Sequence, residues 1–239
     1  MPEKRLELQP RLQALADWVP QGAKLADVGT DHGYLPVYTR QLGRVGHAIA
    51  SDLRQEPLDH ARRSAAAYGV DGVDFRLCDG LDGIESAEAD VIVLAGMGGE
   101  TIAAILQAAP WTADGGHTLL LQPMTRAELL RLWLAEHGYR ALRERLVEDK
   151  GTLYPILEVT GGAMPIPPAG RLWGGLLLDG DPLAGAYLSR QMEKLRVALE
   201  GLDRSRRETD RTRREELAQA LQELTVMREE WNHANSQGN

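Results

Sequence analysis

Apolar residues along this chain come in short runs separated by segments of helical spacing. Lys24–Val28, Gly46–Ser51, Val73–Leu77, Asp90–Ala95 and Thr118–Leu121 are brief and mostly apolar, the signature of strands covered on both faces. Between them, Tyr34–Leu42, Gln55–Tyr68, Glu100–Ala109 and Thr125–His137 read as helices, with Gly69 and Gly138 where C-terminal caps belong. Ahead of the first strand, Leu8, Leu12, Leu15 and Ala16 recur at helical spacing until Pro20-Gln21-Gly22 stops the run. After the fifth strand, which Gln122-Pro123 is expected to end, Arg140–Glu148 and Leu153–Thr160 are strand-like. Only Asp149-Lys150-Gly151 separates them, too short for a parallel crossover, so they predict a hairpin. Alternating strands and helices closed by a hairpin predict an α/β fold of Rossmann-like type, with a mostly parallel seven-stranded sheet.

The pattern then changes. Gly161–Pro168 reads as a linker or irregular strap. Leu188, Met192, Leu195, Leu199 and Leu202 step by four and three, and Leu217, Leu221 and Leu224 resume the step, with Met227 and Trp231 near the same face. These are coiled-coil seams. No large aliphatic residue falls in 203–216, so two readings stand: two helices folded back as an antiparallel hairpin, or one long helix that dimerises. The expected division is a sheet domain over 1–162 and a helical coiled-coil domain over 163–239.

Composition narrows the class. The chain has 239 residues, a net charge of −8 and 43% hydrophobic residues, enough for a sizeable core. No run approaches the ~18 apolar residues of a membrane span. A single cysteine, Cys78, excludes an internal disulfide and makes a cytoplasmic setting the default. The acidic balance argues against coating nucleic acid non-specifically but leaves room for a local basic patch. One is present: six arginines (Arg204, Arg206, Arg207, Arg211, Arg213 and Arg214) fall at the expected hairpin tip. They suit phosphate contacts, or equally a solvated, salt-bridged helix surface.

Candidate chemistry gathers at strand ends. Asp27 ends the first strand, Asp52 the second, and Asp79-Gly80 follows the third. In an open α/β sheet the ligand sits outside these ends. An acid after the second strand suits two ribose hydroxyls, and Asp79 suits an adenine amino group. Any one of these acids alone is accounted for as a cap or loop residue; three at successive strand ends are not. Between the first strand and its helix lies Gly29-Thr30-Asp31-His32-Gly33 in place of a dinucleotide-binding G-x-G-x-x-G. Asp31 opposes a pyrophosphate and suits a cation, which favours S-adenosylmethionine over NAD. The terminal hairpin points the same way, since Rossmann-like methyltransferases characteristically carry it. Gly96 and Met97 follow the fourth strand, where such enzymes face methyl group and acceptor. The Asn/Asp-Pro-Pro-aromatic tetrapeptide of amino-group methylation is missing, which fits a ring nitrogen such as N1 of adenine. His32 and Tyr34 adjoin the same place, as base-orienting or stacking groups or as structural ones. No histidine or cysteine spacing suggests a metal.

Together, Arg11-Leu12, Asp27-Val-Gly-Thr-Asp-His-Gly-Tyr-Leu-Pro36, Ala95-Gly-Met-Gly-Gly99 and Leu121-Gln-Pro123 resemble the bacterial TrmK family of tRNA (adenine(22)-N(1))-methyltransferases over about residues 8–160. The resemblance implies an S-adenosylmethionine-binding Rossmann-like domain followed by a coiled coil that helps hold tRNA. It implies a cofactor site of Arg11, Asp27, Gly29, Thr30, Asp31, Gly33, Asp52, Asp79, Gly80, Gly96 and Met97. Asp31, His32, Tyr34 and Met97 are then placed nearest the transferred methyl. Thr30 stands where Ser is more frequent, and Met124 where Asn is frequent, which removes a polar contact near the acceptor. A monomer acting on tRNA, without a membrane or a metal, is the expectation. Methylation of another RNA or a small molecule, an RNA-binding scaffold with an idle pocket, and an NAD-linked oxidoreductase are the competing readings of the residues.

Overall fold

The computed structural model describes residues 5–202 and 208–236. In chain order its elements are α1 (Pro10–Trp18), β1 (Leu25–Val28), α2 (Tyr34–Gln41), β2 (Ala48–Asp52), α3 (Gln55–Ala67), β3 (Val73–Leu77), β4 (Val91–Gly98), α4 (Gly99–Ala108), β5 (Thr118–Thr125), α5 (Ala127–Glu136), β6 (Tyr139–Asp149), β7 (Thr152–Gly161), α6 (Ala169–Gly174), α7 (Ala184–Leu202) and α8 (Glu208–Ser236). The strands form one seven-stranded sheet in the order β3-β2-β1-β4-β5-β7-β6. The first five run parallel, and β7 lies antiparallel to both β5 and β6. The strand order reverses between β2-β1 and β4, which opens a crevice at the carboxyl ends of the central strands.

Successive side chains of a strand point to opposite faces, and the core divides accordingly. Ala26, Ile49, Ile92, Leu94, Leu119 and Leu121 face one way and pack under Ile102 and Leu106 of α4 and Leu130 and Leu134 of α5. Leu25, Ala48, Val91, Val93 and Leu120 face the other way, under Ala14 and Leu15 of α1 and Leu35 of α2. The continuous apolar runs follow from this double cover.

Two expected boundaries move. Gly96-Met97-Gly98 is the end of β4 rather than a turn, and α4 starts at Gly99. Gln122-Pro123 does not end β5, which continues to Thr125. Pro123 faces Met97 beyond a bulge at Gly96, where the ladder is already interrupted and a missing N–H costs little. The first helix starts at Pro10, so Leu8 packs from an extended lead-in.

Beyond the hairpin the strap leads into α6, which the sequence pattern did not single out. α7 and α8 then pack along Leu188, Met192, Leu195, Leu217, Ala220 and Leu224. A Cβ on Gly174 would meet both Leu188 and Leu224, and one on Gly185 would meet Trp231, so the two helices run antiparallel. The folded-back reading holds. Their base is tied to the sheet by a buried pair: Arg131 on α5 donates through Nη2 to Glu144 Oε1 on β6 at 2.5 Å, both side chains fully buried. Arg131 Nη1 also donates to the Leu172 carbonyl on α6 (2.6 Å), and Glu144 Oε2 accepts from the Leu176 amide (2.6 Å). Among the described residues, no helix is long and apolar enough to cross a membrane.

Candidate active site

A cavity of about 680 Å³ opens at the carboxyl ends of β1, β2 and β4. The sequence dictates its shape locally. β1 ends at Asp27-Val28, and the chain must then reverse into α2 within five residues. It does so with Gly29 at φ 71°, Asp31 at φ 52° and Gly33 at φ 66°. Gly33 is required by packing as well: a Cβ there would lie 2.7 Å from the Ala61 Cβ on α3. Asp31 is one of the few side chains that tolerates the left-handed region. The amides of Gly29 and Thr30 both donate to the Ser51 carbonyl at 2.9 Å, which stitches the loop to β2.

Three carboxylates face this loop. Asp27 is buried, and Thr30 Oγ1 donates to its Oδ2 at 2.6 Å. Burial pushes the Asp27 carboxyl up to about 6; the Thr30 bond offsets part of that, and the charges of Asp52 and Asp31 add to it. Asp52 accepts from the Arg54 amide through Oδ1 (3.0 Å) and from the Asp31 amide through Oδ2 (3.4 Å), so its carboxylate is oriented before any ligand arrives. Asp31 is exposed at the mouth. Arg11 and Arg54 line the same cavity, Arg11 being paired with Asp149, so the three carboxylates leave the wall net negative, which favours a cation over a diphosphate. Among the described residues, no group of three His, Cys, Asp or Glu side chains is placed to hold a metal ion.

Of the residues singled out from the sequence, Arg11, Asp27, Gly29, Thr30, Asp31, His32, Tyr34, Asp52 and Gly96 line the cavity together. Met97 stands just behind, its Cε 2.9 Å from where a Cβ on Gly29 would lie. Gly33 is buried beneath the loop, and exposed Asp79 with Gly80 lies at the end of β3, beside rather than in the cavity wall. His32 is sandwiched between Tyr34 (centroids 5.2 Å apart) and His60 of α3 (4.9 Å), a three-ring stack at the mouth. Arg211, Arg213 and Arg214 are exposed on the first turns of α8, and Arg211 pairs with Glu215 at 3.6 Å. Arg204, Arg206 and Arg207 lie outside the described residues.

Some wall residues carried no signal in the sequence. Gln9 and Arg54 are two of these, while Leu12, Leu35, Ala95 and Met124, which lie in or beside the family motifs, line the cavity as well. Arg11 is held by Asp149, whose Oδ2 accepts from Nε at 2.7 Å, and by Gln122, whose Oε1 accepts from Nη1 at 3.0 Å. Asp149 reads as a turn residue, and only the tertiary fold reveals it as the buried partner of a residue in the first helix. His60 lies within the helix expected over Gln55–Tyr68, and its stacking on His32 depends on how α3 packs beside the loop.

Comparison with known proteins agrees with this geometry. A family model described as "Methyltransferase domain" matches residues 8–157. The tRNA (adenine(22)-N(1))-methyltransferase of Bacillus subtilis is 35% identical over 187 residues, covering 78% of this chain and 76% of that protein. The crystal structure of the B. subtilis m1A22 tRNA methyltransferase TrmK superposes with a TM-score of 0.84 at 30% identity, covering 94% of this chain and 100% of the other. Streptococcus pneumoniae Sp1610 in complex with S-adenosyl-L-methionine superposes with a TM-score of 0.78 at 33% identity, covering 91% and 98%.

Proposed function

The chain belongs to the TrmK family of tRNA (adenine(22)-N(1))-methyltransferases, and from that premise we propose that its cavity binds S-adenosylmethionine and directs the methyl group to N1 of an adenine in tRNA. The observation that carries the reading is the carboxylate wall. Asp27, Asp31 and Asp52 converge on one cavity at the tips of β1 and β2, and a cationic sulfur nucleoside suits that field.

When bound, S-adenosylmethionine supplies a methyl group on a positively charged sulfur. N1 of a neutral adenine attacks with an in-plane lone pair and has no proton to lose. A carbon–nitrogen bond forms as the carbon–sulfur bond breaks, the electron pair stays on sulfur, and the base takes the positive charge. No general base is needed for attack, so the chain's task is to bind, align and exclude water, which is worth up to ~7–11 kcal/mol in good cases.

Asp52, oriented by the Arg54 and Asp31 amides, is suited to both ribose hydroxyls. Asp79, at the neighbouring strand end, suits the adenine amino group. Asp27 and Asp31 favour the cationic end of the cofactor. The His60–His32–Tyr34 stack offers an aromatic surface at the mouth for a base turned out of the tRNA, a step that costs a few kcal/mol. The arginines at the start of α8 are suited to phosphates, which supply affinity without reading sequence. In this reading residues 1–162 carry the chemistry and 163–239 help to hold the RNA.

The test uses the full chain, labelled S-adenosylmethionine and two tRNA transcripts that differ only by adenine or guanine at position 22. Label enters the adenine transcript alone if the reading is right. Equal labelling of both, or of neither, contradicts it.

A further inference from the structure

We propose that Gln122 is a positioning residue for methyl transfer: its buried carboxamide holds the Gly96 peptide in place at the cavity edge. The proposal rests on the N1-methyltransferase reading above.

β4 and β5 keep register until Ala95 faces Gln122, and pairing resumes with Met97 facing Pro123. Gly96 is therefore an extra residue with no partner on β5, a bulge in the strand that borders the cavity. Its φ is 77°, and nothing lies within 4 Å of a Cβ built there, so the glycine is required by conformation and not by crowding. An amide released from the ladder needs another acceptor. The Gly96 N–H donates to Gln122 Oε1 at 3.2 Å.

Gln122 is fully buried, and both ends of its carboxamide are engaged. Oε1 also accepts from Arg11 Nη1 at 3.0 Å, and Nε2 donates to the Pro123 carbonyl at 3.2 Å. Arg11 is in turn fixed by Asp149 at 2.7 Å. One chain of bonds thus runs from the end of β6 through α1 and β5 to the bulge. The amide has a single orientation there, because exchanging its oxygen and nitrogen would set donor against donor at Gly96 and acceptor against acceptor at Pro123. Met97, the next residue, lies over Gly29, so a shift of the bulge disturbs two walls of the cavity at once. Gln122 itself does not line the cavity. Its loss removes no contact with either substrate; it removes alignment, and a displacement of ~1 Å can cost about 100-fold in rate.

The test compares the full-length wild type with Gln122→Met, which keeps the volume and loses the acceptor, and Gln122→Glu, which keeps an accepting oxygen. Three quantities are read: kcat and KM on tRNA, the Kd of S-adenosylmethionine by calorimetry, and hydrogen exchange of the Gly96 amide. For Gln122→Met the expected result is a fall in kcat of about 100-fold with KM and Kd within about threefold. Exchange at Gly96 should be faster by about tenfold or more, while that at Leu94 is unchanged. Gln122→Glu should recover part of both kcat and protection. A Gln122→Met enzyme with wild-type kcat, a loss confined to KM or Kd, or unchanged Gly96 exchange overturns the proposal. Exchange needs no turnover, so the Gln122–Gly96 link is judged even if the wild type makes no N1-methyladenosine, a result that would overturn the functional reading instead.

Discussion

Thr30 Oγ1 donates a 2.6 Å hydrogen bond to Asp27 Oδ2, the strongest local support for a carboxylate that burial otherwise disfavours. The bond is outweighed by burial, and the Asp27 carboxyl is pushed up to about 6. A cation brought beside it stabilises the ionised form and draws the pKa back down, so binding S-adenosylmethionine releases a proton below about pH 6. The sign follows: affinity is full above pH 6 and falls as pH drops through that value. Calorimetry between pH 5 and 8 in buffers of different ionisation enthalpy measures the released proton. Asp27→Asn should bind more weakly at pH 8 and lose the pH dependence. A wild-type affinity flat from pH 8 to 5 contradicts the assignment.

Asp52→Ala removes the oriented acceptor at the tip of β2. Two charge-assisted hydrogen bonds to ribose at about 1.5–3 kcal/mol each set the expected loss of S-adenosylmethionine affinity at roughly 100-fold or more. Normal affinity in this variant would falsify the ribose assignment.

Glu144 satisfies Arg131 and the amides of Leu176 and Leu177 from one fully buried carboxylate. Glu144→Ala leaves a buried guanidinium without its counter-ion and two amides without their acceptor, and breaking a buried pair in this way costs about 3–5 kcal/mol. At ~2–4 °C per kcal/mol for a chain of this size, the melting temperature should drop by roughly 6–20 °C. Pairing it with Arg131→Met should recover little, because the Leu172 carbonyl and the two amides stay unsatisfied. Full recovery in the double variant would show that the pair alone matters and that the tail is not anchored through it.

Arg211, Arg213 and Arg214 are exposed on α8 and lie outside the cavity. Replacing all three with Gln should weaken tRNA binding and reduce the slope of log K against log salt by about two to three. S-adenosylmethionine affinity should not move. An unchanged salt slope assigns these side chains to the solvated helix surface.

Much of this was legible in the residues. Strand positions followed from apolar runs buried on both faces, and the terminal hairpin from a connection too short to cross over. The cavity's acids were visible because strand ends are where an open sheet must expose polar groups. What stayed hidden was tertiary. Gly96-Met97-Gly98 looks like a turn because glycine breaks strands, yet a bulge and a neighbouring strand absorb it. Gln122 looks like a strand terminator because Pro123 follows, and its role depends on an amide contributed from another strand. The Arg11–Asp149 pair joins residues 138 positions apart, beyond any local pattern. Arg131 and Glu144 look like ordinary surface charges of a helix and an edge strand, and the chain from α6 onward folds over them and makes them core.

The reaction itself is read most directly from its product. Nucleoside mass spectrometry of tRNA treated with the full-length protein and methyl-labelled S-adenosylmethionine should find the label in N1-methyladenosine, the outcome for a ring nitrogen attacking with a free lone pair beside an acidic wall. Label in N6-methyladenosine, or none in any nucleoside, would contradict it.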